Sequence, residues 1–144
     1  MKEELRCKEL TIDNLNEIVR LGKKLNPNLS LEEIKESFLE MFTFPTYYCF
    51  GLIDTEDKII GISSGWITHK LYSKKQLEID NVIIDPNIQS KGYGKIFLEK
   101  IDDWAKNYGC KTLELNTYVT NNRSHKFYFN NGYSIIGYHF QKQL

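Results

Sequence analysis

The sequence predicts an α/β (α+β) fold, a mixed sheet with helices on its faces, and three observations predict it. Helical spacing dominates residues 13–44, strand-like runs rich in β-branched and aromatic residues fill 47–84, and the remainder alternates helix, strand, helix and strand. A chain of 144 residues suits one domain, 1–144, able to bury a core without disulfide or metal staples.

A short strand over residues 5–10 comes first. From Asp13 the apolar positions Leu15, Ile18, Val19, Gly22 and Leu25 recur at helical spacing until Asn26-Pro27-Asn28 stops them. Ser30 and Glu33 form a capping box, in which the serine oxygen takes the N3 amide and the glutamate reaches back. The helix they open carries Ile34, Phe38, Met41 and Phe42 on one stripe, and Pro45 closes it. Residues 47–53 and 59–68 read as strands joined by a hairpin turn at 54–58. A polar link, 69–75, leads to a third strand over 77–84. Strict alternation there puts Leu77, Ile79 and Ile83 on one face and Glu78, Asp80, Val82 and Ile84 on the other. An amphipathic helix bearing Phe97, Ile101, Trp104, Ala105 and Tyr108 ends at Gly109. A strand over 112–119, a short helix over 122–130 and one or two closing strands within 133–142 complete the chain.

Nineteen basic and nineteen acidic residues cancel, which argues against a nucleic-acid partner bound through bulk charge. No window approaches the roughly 20 apolar residues of a membrane span, and the N-terminus lacks the apolar core of a secretory signal, so a cytoplasmic location is expected. Cys7, Cys49 and Cys110 form no C-x-x-C pair and read as reduced thiols. His69, His125 and His139 lack ligand spacing, so no metal is expected.

Two stretches carry chemistry. Gln89-Ser90-Lys91-Gly92-Tyr93-Gly94 joins a buried strand to a helix. Helix N-terminal amides and their partial positive charge attract phosphate there, glycine lets the backbone approach an oxygen, and Lys91 and Lys95 add charge. By itself the segment reads equally well as a Gly-rich turn with no ligand. The second stretch is Asn121-x-x-Ser124-x-x-x-Tyr128-x-x-x-Gly132-Tyr133, which alone reads as an Asn-capped helix with a core tyrosine.

Taken together the two blocks resemble the GNAT superfamily of acetyl-CoA-dependent N-acetyltransferases. The run Ile84-x-Pro86-x-x-Gln89-x-x-Gly92-x-Gly94 is similar to its Q/R-x-x-G-x-G/A pyrophosphate loop. The second block is similar to N-x-x-A-x-x-x-Y-x-x-x-G-F, with Ser124 for the usual alanine and Tyr133 for phenylalanine. The close resemblance covers residues 77–133. It implies a mostly antiparallel sheet of six to seven strands, flanked by about four helices and splayed between the fourth and fifth strands.

It also implies acetyl-CoA as cosubstrate. Val82, Ile83 and Ile84 would lend backbone groups to the pantetheine arm. Gln89, Ser90, Lys91, Gly92, Tyr93, Gly94 and Lys95 would hold the pyrophosphate, and Asn121 and Ser124 would lie along the cofactor arm. Tyr128 would adjoin the cofactor and protonate the departing thiolate. A lysine-type amine, pKa ~10.4, must lose a proton before it attacks. Glu78 and Asp80 are the candidate bases, with Glu114 on the next strand. Each reads singly as a solvated strand-face charge; as a cluster they make an acidic cleft suited to a cationic amine. The implied partner is a small-molecule amine, with no nucleic acid or membrane and with a homodimer left open. A protein or peptide N-acetyltransferase and a non-catalytic acyl-CoA-binding module are the alternatives.

Overall fold

The computed structural model describes residues 4–88 and 92–144. The chain divides into two compact units, Met1–Glu114 and Leu115–Leu144.

The first unit opens with β1 (Arg6–Leu10), a 3-10 turn at Ile12–Asn14 and two helices, α1 (Leu15–Leu25) and α2 (Leu31–Met41). Then come β2 (Tyr47–Ile53), β3 (Ile59–Lys70) and β4 (Lys74–Ile84), a 3-10 turn at Pro86–Ile88 and α3 (Tyr93–Asn107), and β5 (Thr112–Leu115) ends one residue past the division. The five strands stand in the order β1-β2-β3-β4-β5. The first four pair antiparallel, and β5 runs parallel to β4. The mixed α/β class is therefore as the sequence predicts.

The Ser30 box forms as read: its hydroxyl accepts the Glu33 N–H at 3.1 Å, and Glu33 accepts the Ser30 N–H at 3.0 Å. A second box, Thr11 with Asn14, fixes the turn before α1; with Asn in place of Glu or Gln it gave no sequence signal. The helices α1 and α2 cover one sheet face, where Ile18, Leu21, Ile34 and Phe38 pack with Cys49, Ile62 and Ile83. Ile18 and Leu21 are wholly buried, each worth roughly 1.5–3 kcal/mol of transfer free energy. The alternate residue of β2, Phe50, faces the other way and meets Trp104 of α3 at 4.7 Å between ring centroids.

Two local readings change. The segment 69–75 is no loose link, because His69 pairs with Lys75 and Lys70 with Lys74, leaving residues 71–73 as the turn. Lys74 closes it with a left-handed backbone, φ 58°, at a place where no glycine announces it. The strict alternation of β4 also fails. Ser64 pairs with Asn81 while Gly65 pairs with Ile79, so Asp80 is an extra residue, a β-bulge. Beyond it the faces exchange: Ile83 joins the α1–α2 core, opposite to Leu77 and Ile79.

In the second unit α4 spans Asn122–Asn130, and Gly132, φ 87°, follows its end. The strand expected over 112–119 stops at Leu115. Among the described residues of 133–144 no strand forms, and Ile135, Ile136, Tyr138 and Phe140 are exposed. Among the described residues five strands form, against the expected six to seven. Strand propensity in these runs finds no ladder to join, and a strand exists only with partners for its backbone.

Candidate active site

The bulge organises one end of the candidate site. Asp80 is held by three donors: Ser64 Oγ at 2.6 Å and Asn81 Nδ2 at 3.0 Å on one oxygen, and Trp66 Nε1 at 3.0 Å on the other. Asn81 Nδ2 also donates to Ser64 Oγ at 3.1 Å. These donors occupy both carboxylate oxygens. They also fill the gap that the extra residue opens in the ladder.

Glu78 pairs across the sheet with Trp66, which places Glu78 and Asp80 on one face as expected. Its carboxylate is loosely matched by Lys70, 3.8 Å away, and remains partly open to solvent. Lys70 lies 5.7 Å above the Tyr72 ring, and Tyr72 points its hydroxyl at Glu114 over 3.5 Å, too long for a firm hydrogen bond. The bond to Tyr72, with Glu78 and Glu114 nearby, raises the Lys70 ammonium. Lys70 thus interacts with Glu78 and Glu114, two of the three carboxylates named from the sequence.

An aromatic row that sequence reasoning missed flanks these carboxylates. Trp66 lies 4.9 Å from Tyr47 and 5.5 Å from Phe44, and Tyr47 lies 5.3 Å from Phe42. Burial pushes the Tyr47 phenol far above its ordinary range. Only the pairing of Tyr47 with Trp66 across two strands unites residues so far apart in sequence. A cavity of about 390 Å³ opens at the far end of this row, lined by Leu10, Ile12, Phe42 and Tyr47 among others. It contains none of the residues nominated from the sequence.

The strand end supplies the second feature. Val82, Ile83 and Ile84 pair on their β3 side with Ser63, Ile62 and Gly61. Gln89, Ser90 and Lys91 lie outside the described residues. Gly92 opens α3 with φ 75°, and a Cβ there would meet nothing within 4 Å. Glycine is needed for its backbone conformation, since the space in front of it is open. Gly92, which has no side chain to cap with, is the N-cap of α3, and Tyr93, Gly94 and Lys95 form its first turn. A helix start behind a glycine suits a phosphate oxygen.

In the second unit Asn121 caps α4, its Oδ1 accepting the Ser124 N–H at 3.2 Å. Tyr128 lies one turn beyond Ser124 on the same side of the helix. Its ring packs 5.4 Å from both Phe127 and Tyr133, and burial raises its phenol. The phenol therefore keeps its proton at neutral pH.

Among the described residues no three His, Cys, Asp or Glu side chains converge on a metal position, and no helix is long and apolar enough to cross a membrane. The three thiols are free; burial pushes Cys7 up to about 11 and Cys49 to about 12.

Residues 15–133 match the acetyltransferase (GNAT) family, so the chain belongs to that family. The matched span contains every nominated site residue. Among curated proteins, the uncharacterized N-acetyltransferase YhdJ of Bacillus subtilis (strain 168) is 30% identical over 75 residues, which are 51% of this chain. The chain spans about half of that relative's length, 53%.

Among solved structures, the aminoglycoside N-acetyltransferase AAC(6')-Iy in complex with CoA superposes with a TM-score of 0.83 at 16% identity. That match covers 100% of this chain and 97% of the other. A GNAT family acetyltransferase of Staphylococcus aureus reaches 0.78 at 24% identity, covering 97% and 98%. An aminoglycoside acetyltransferase from an uncultured soil metagenomic sample, in complex with sisomicin, reaches 0.77 at 19%, covering 97% and 96%. At these identities the likeness is one of fold.

Proposed function

We propose that the chain transfers the acetyl group of acetyl-CoA to the primary amine of a small cationic acceptor, by direct attack of the amine on the thioester. The observation that carries this reading is the composition of β4. It holds two carboxylates beside an aromatic row at its bulge and then leads toward a helix opened by a left-handed glycine. Residues 1–144 are read as one acetyltransferase domain, because the family match runs through the division after Glu114.

Acetyl-CoA supplies the thioester when bound. Glu78 takes the proton that the ammonium must lose, and it is better suited than Asp80, whose oxygens already hold three donors. Asp80 fixes the bulge and adds negative charge that draws a cation. Backbone N–H groups of Val82, Ile83 and Ile84 align the pantetheine arm, and one of them steadies the carbonyl oxygen as charge builds on it. Gln89, Ser90, Lys91, Gly92, Tyr93, Gly94 and Lys95 hold the pyrophosphate. Asn121 and Ser124 contact the cofactor arm, and Tyr128 gives its proton to the sulfur as the C–S bond breaks. The acidic cluster and the aromatic row favour a cationic amine. The fold shared with aminoglycoside acetyltransferases, one of them in complex with sisomicin, supports a small molecule as acceptor.

The test is calorimetric titration with acetyl-CoA, using ADP as the control ligand, followed by a thiol-release screen of small amines against peptides. Tight acetyl-CoA binding that ADP does not match, with turnover of a small amine, is the expected result. Absence of acetyl-CoA binding by folded protein overturns the reading.

A further inference from the structure

The ion pair between α1 and the end of β4 has no part in the chemistry above, yet it stands at the approach to α3. Asp85 is 7% exposed and fixed at four points. Its N–H donates to the Ile60 carbonyl at 2.8 Å, and its own carbonyl accepts the Ile88 N–H at 3.0 Å. One carboxylate oxygen accepts the Asn87 N–H at 3.1 Å, and the other accepts Arg20 Nη1 at 3.0 Å. Arg20 is itself braced, since its Nε and Nη2 both donate to Glu17, at 3.2 and 3.1 Å. A preorganised guanidinium from a helix 65 residues away thus sets the turn at Pro86–Ile88.

We propose that Arg20 and Asp85 are positioning residues for the cosubstrate: their pair fixes the turn from which the chain enters the pyrophosphate-binding residues. The inference rests on the acetyl-CoA reading above. Two effects act together. Loss of Arg20 removes one of the four restraints on Asp85 and loosens the turn, so that binding must order it further. It also leaves a bare carboxylate four residues before a segment that is to receive a diphosphate. Nothing in the sequence joins the two residues, which explains why neither stood out there.

The test is titration of wild type, Arg20→Met, Asp85→Asn and the double variant with CoA and with ADP, alongside thermal unfolding without ligand. Each single variant is expected to weaken CoA roughly tenfold and ADP by a similar factor, because the two ligands share the diphosphate. The double variant should be no weaker than the worse single, as one coupled pair requires. In turnover, KM for acetyl-CoA should rise more than kcat falls, a split that general destabilisation does not produce. Should Arg20→Met not fold, Arg20→Lys keeps the charge without the fork and is expected to lose roughly threefold. Wild-type binding of CoA with affinity unchanged in the folded variants overturns the inference alone. A wild type that binds neither ligand overturns it together with the acetyl-CoA reading.

Discussion

Gly65 offers the sharpest test of the bulge geometry. It pairs with Ile79 beside the extra residue. A methyl group on its Cα would sit 2.7 Å from the Glu78 carbonyl oxygen and 3.0 Å from Leu77 Cδ1. That oxygen belongs to a strand paired along its length and cannot swing aside as the tip of a flexible side chain would. Overpacking of this kind costs roughly 1–3 kcal/mol. Unfolding entropy of about 2.1 cal/mol/K per residue gives about 0.3 kcal/mol/K for 144 residues. Gly65→Ala should therefore lower Tm by about 3–10 °C. The assay is thermal unfolding by circular dichroism with Gly137→Ala as control, since a Cβ at Gly137 meets nothing within 4 Å. Both substitutions stiffen the unfolded chain alike, so the difference between them isolates the clash. Because the displaced carbonyl belongs to Glu78, turnover of the amine should fall as well. A Tm within about 1 °C of the control would refute the reasoning, for it would mean that β3 and β4 part at the bulge without cost.

Four further outcomes are expected. Tyr128→Phe should lower kcat about a hundredfold in a thiol-release assay, and an unaltered rate removes the phenol from the chemistry. Glu78→Gln should lower kcat/KM to a similar degree at pH 7, with the deficit shrinking toward pH 10 as the amine sheds its own proton; a deficit constant with pH assigns Glu78 another role. Ser30→Ala removes the hydroxyl that accepts the Glu33 N–H and should cost about 1 kcal/mol, near 3 °C in Tm. Burial of Cys49 holds its proton up to about 12, so the native chain should resist alkylation there at pH 8. The unfolded chain releases that proton earlier, so its contribution to stability is complete below about pH 8 and declines as pH rises. Rapid native labelling of Cys49 would contradict the packing.

Much of the fold was legible where local chemistry decides structure. Ser30 with Glu33, Gly92 and Gly109 each act within a few residues, and α1 through α3 end near where those signals fall. What was not legible depends on partners distant in sequence. The bulge at Asp80 carries no glycine, and its cause lies in Ser64 and Trp66 on the neighbouring strand. The turn at 71–73 relies on a left-handed lysine, which composition does not betray. Tyr118, Val119, Tyr138 and Phe140 have strand-forming side chains but no strand to join, because ladders belong to pairs of segments. At the candidate site, Glu78 and Asp80 could be nominated from strand alternation, and Gly92 and Tyr128 from motifs. Phe44, Tyr47 and Trp66 could not, since only the sheet register gathers them.

The extra residue at Asp80 also has a meaning for comparison and engineering. It works as a frameshift in space: before it odd-numbered residues of the strand look toward α3, and after it even-numbered ones do. A relative built without the bulge would match this strand only with a one-residue gap at that point, and a gapless alignment would equate side chains from opposite faces. Removing one residue here would not shorten a loop. It would turn Val82, Ile83 and Ile84 over together, exchanging core for cleft along the whole end of the strand. Libraries of variants should accordingly treat residues 77–79 and 82–84 as two half-strands with separate parities.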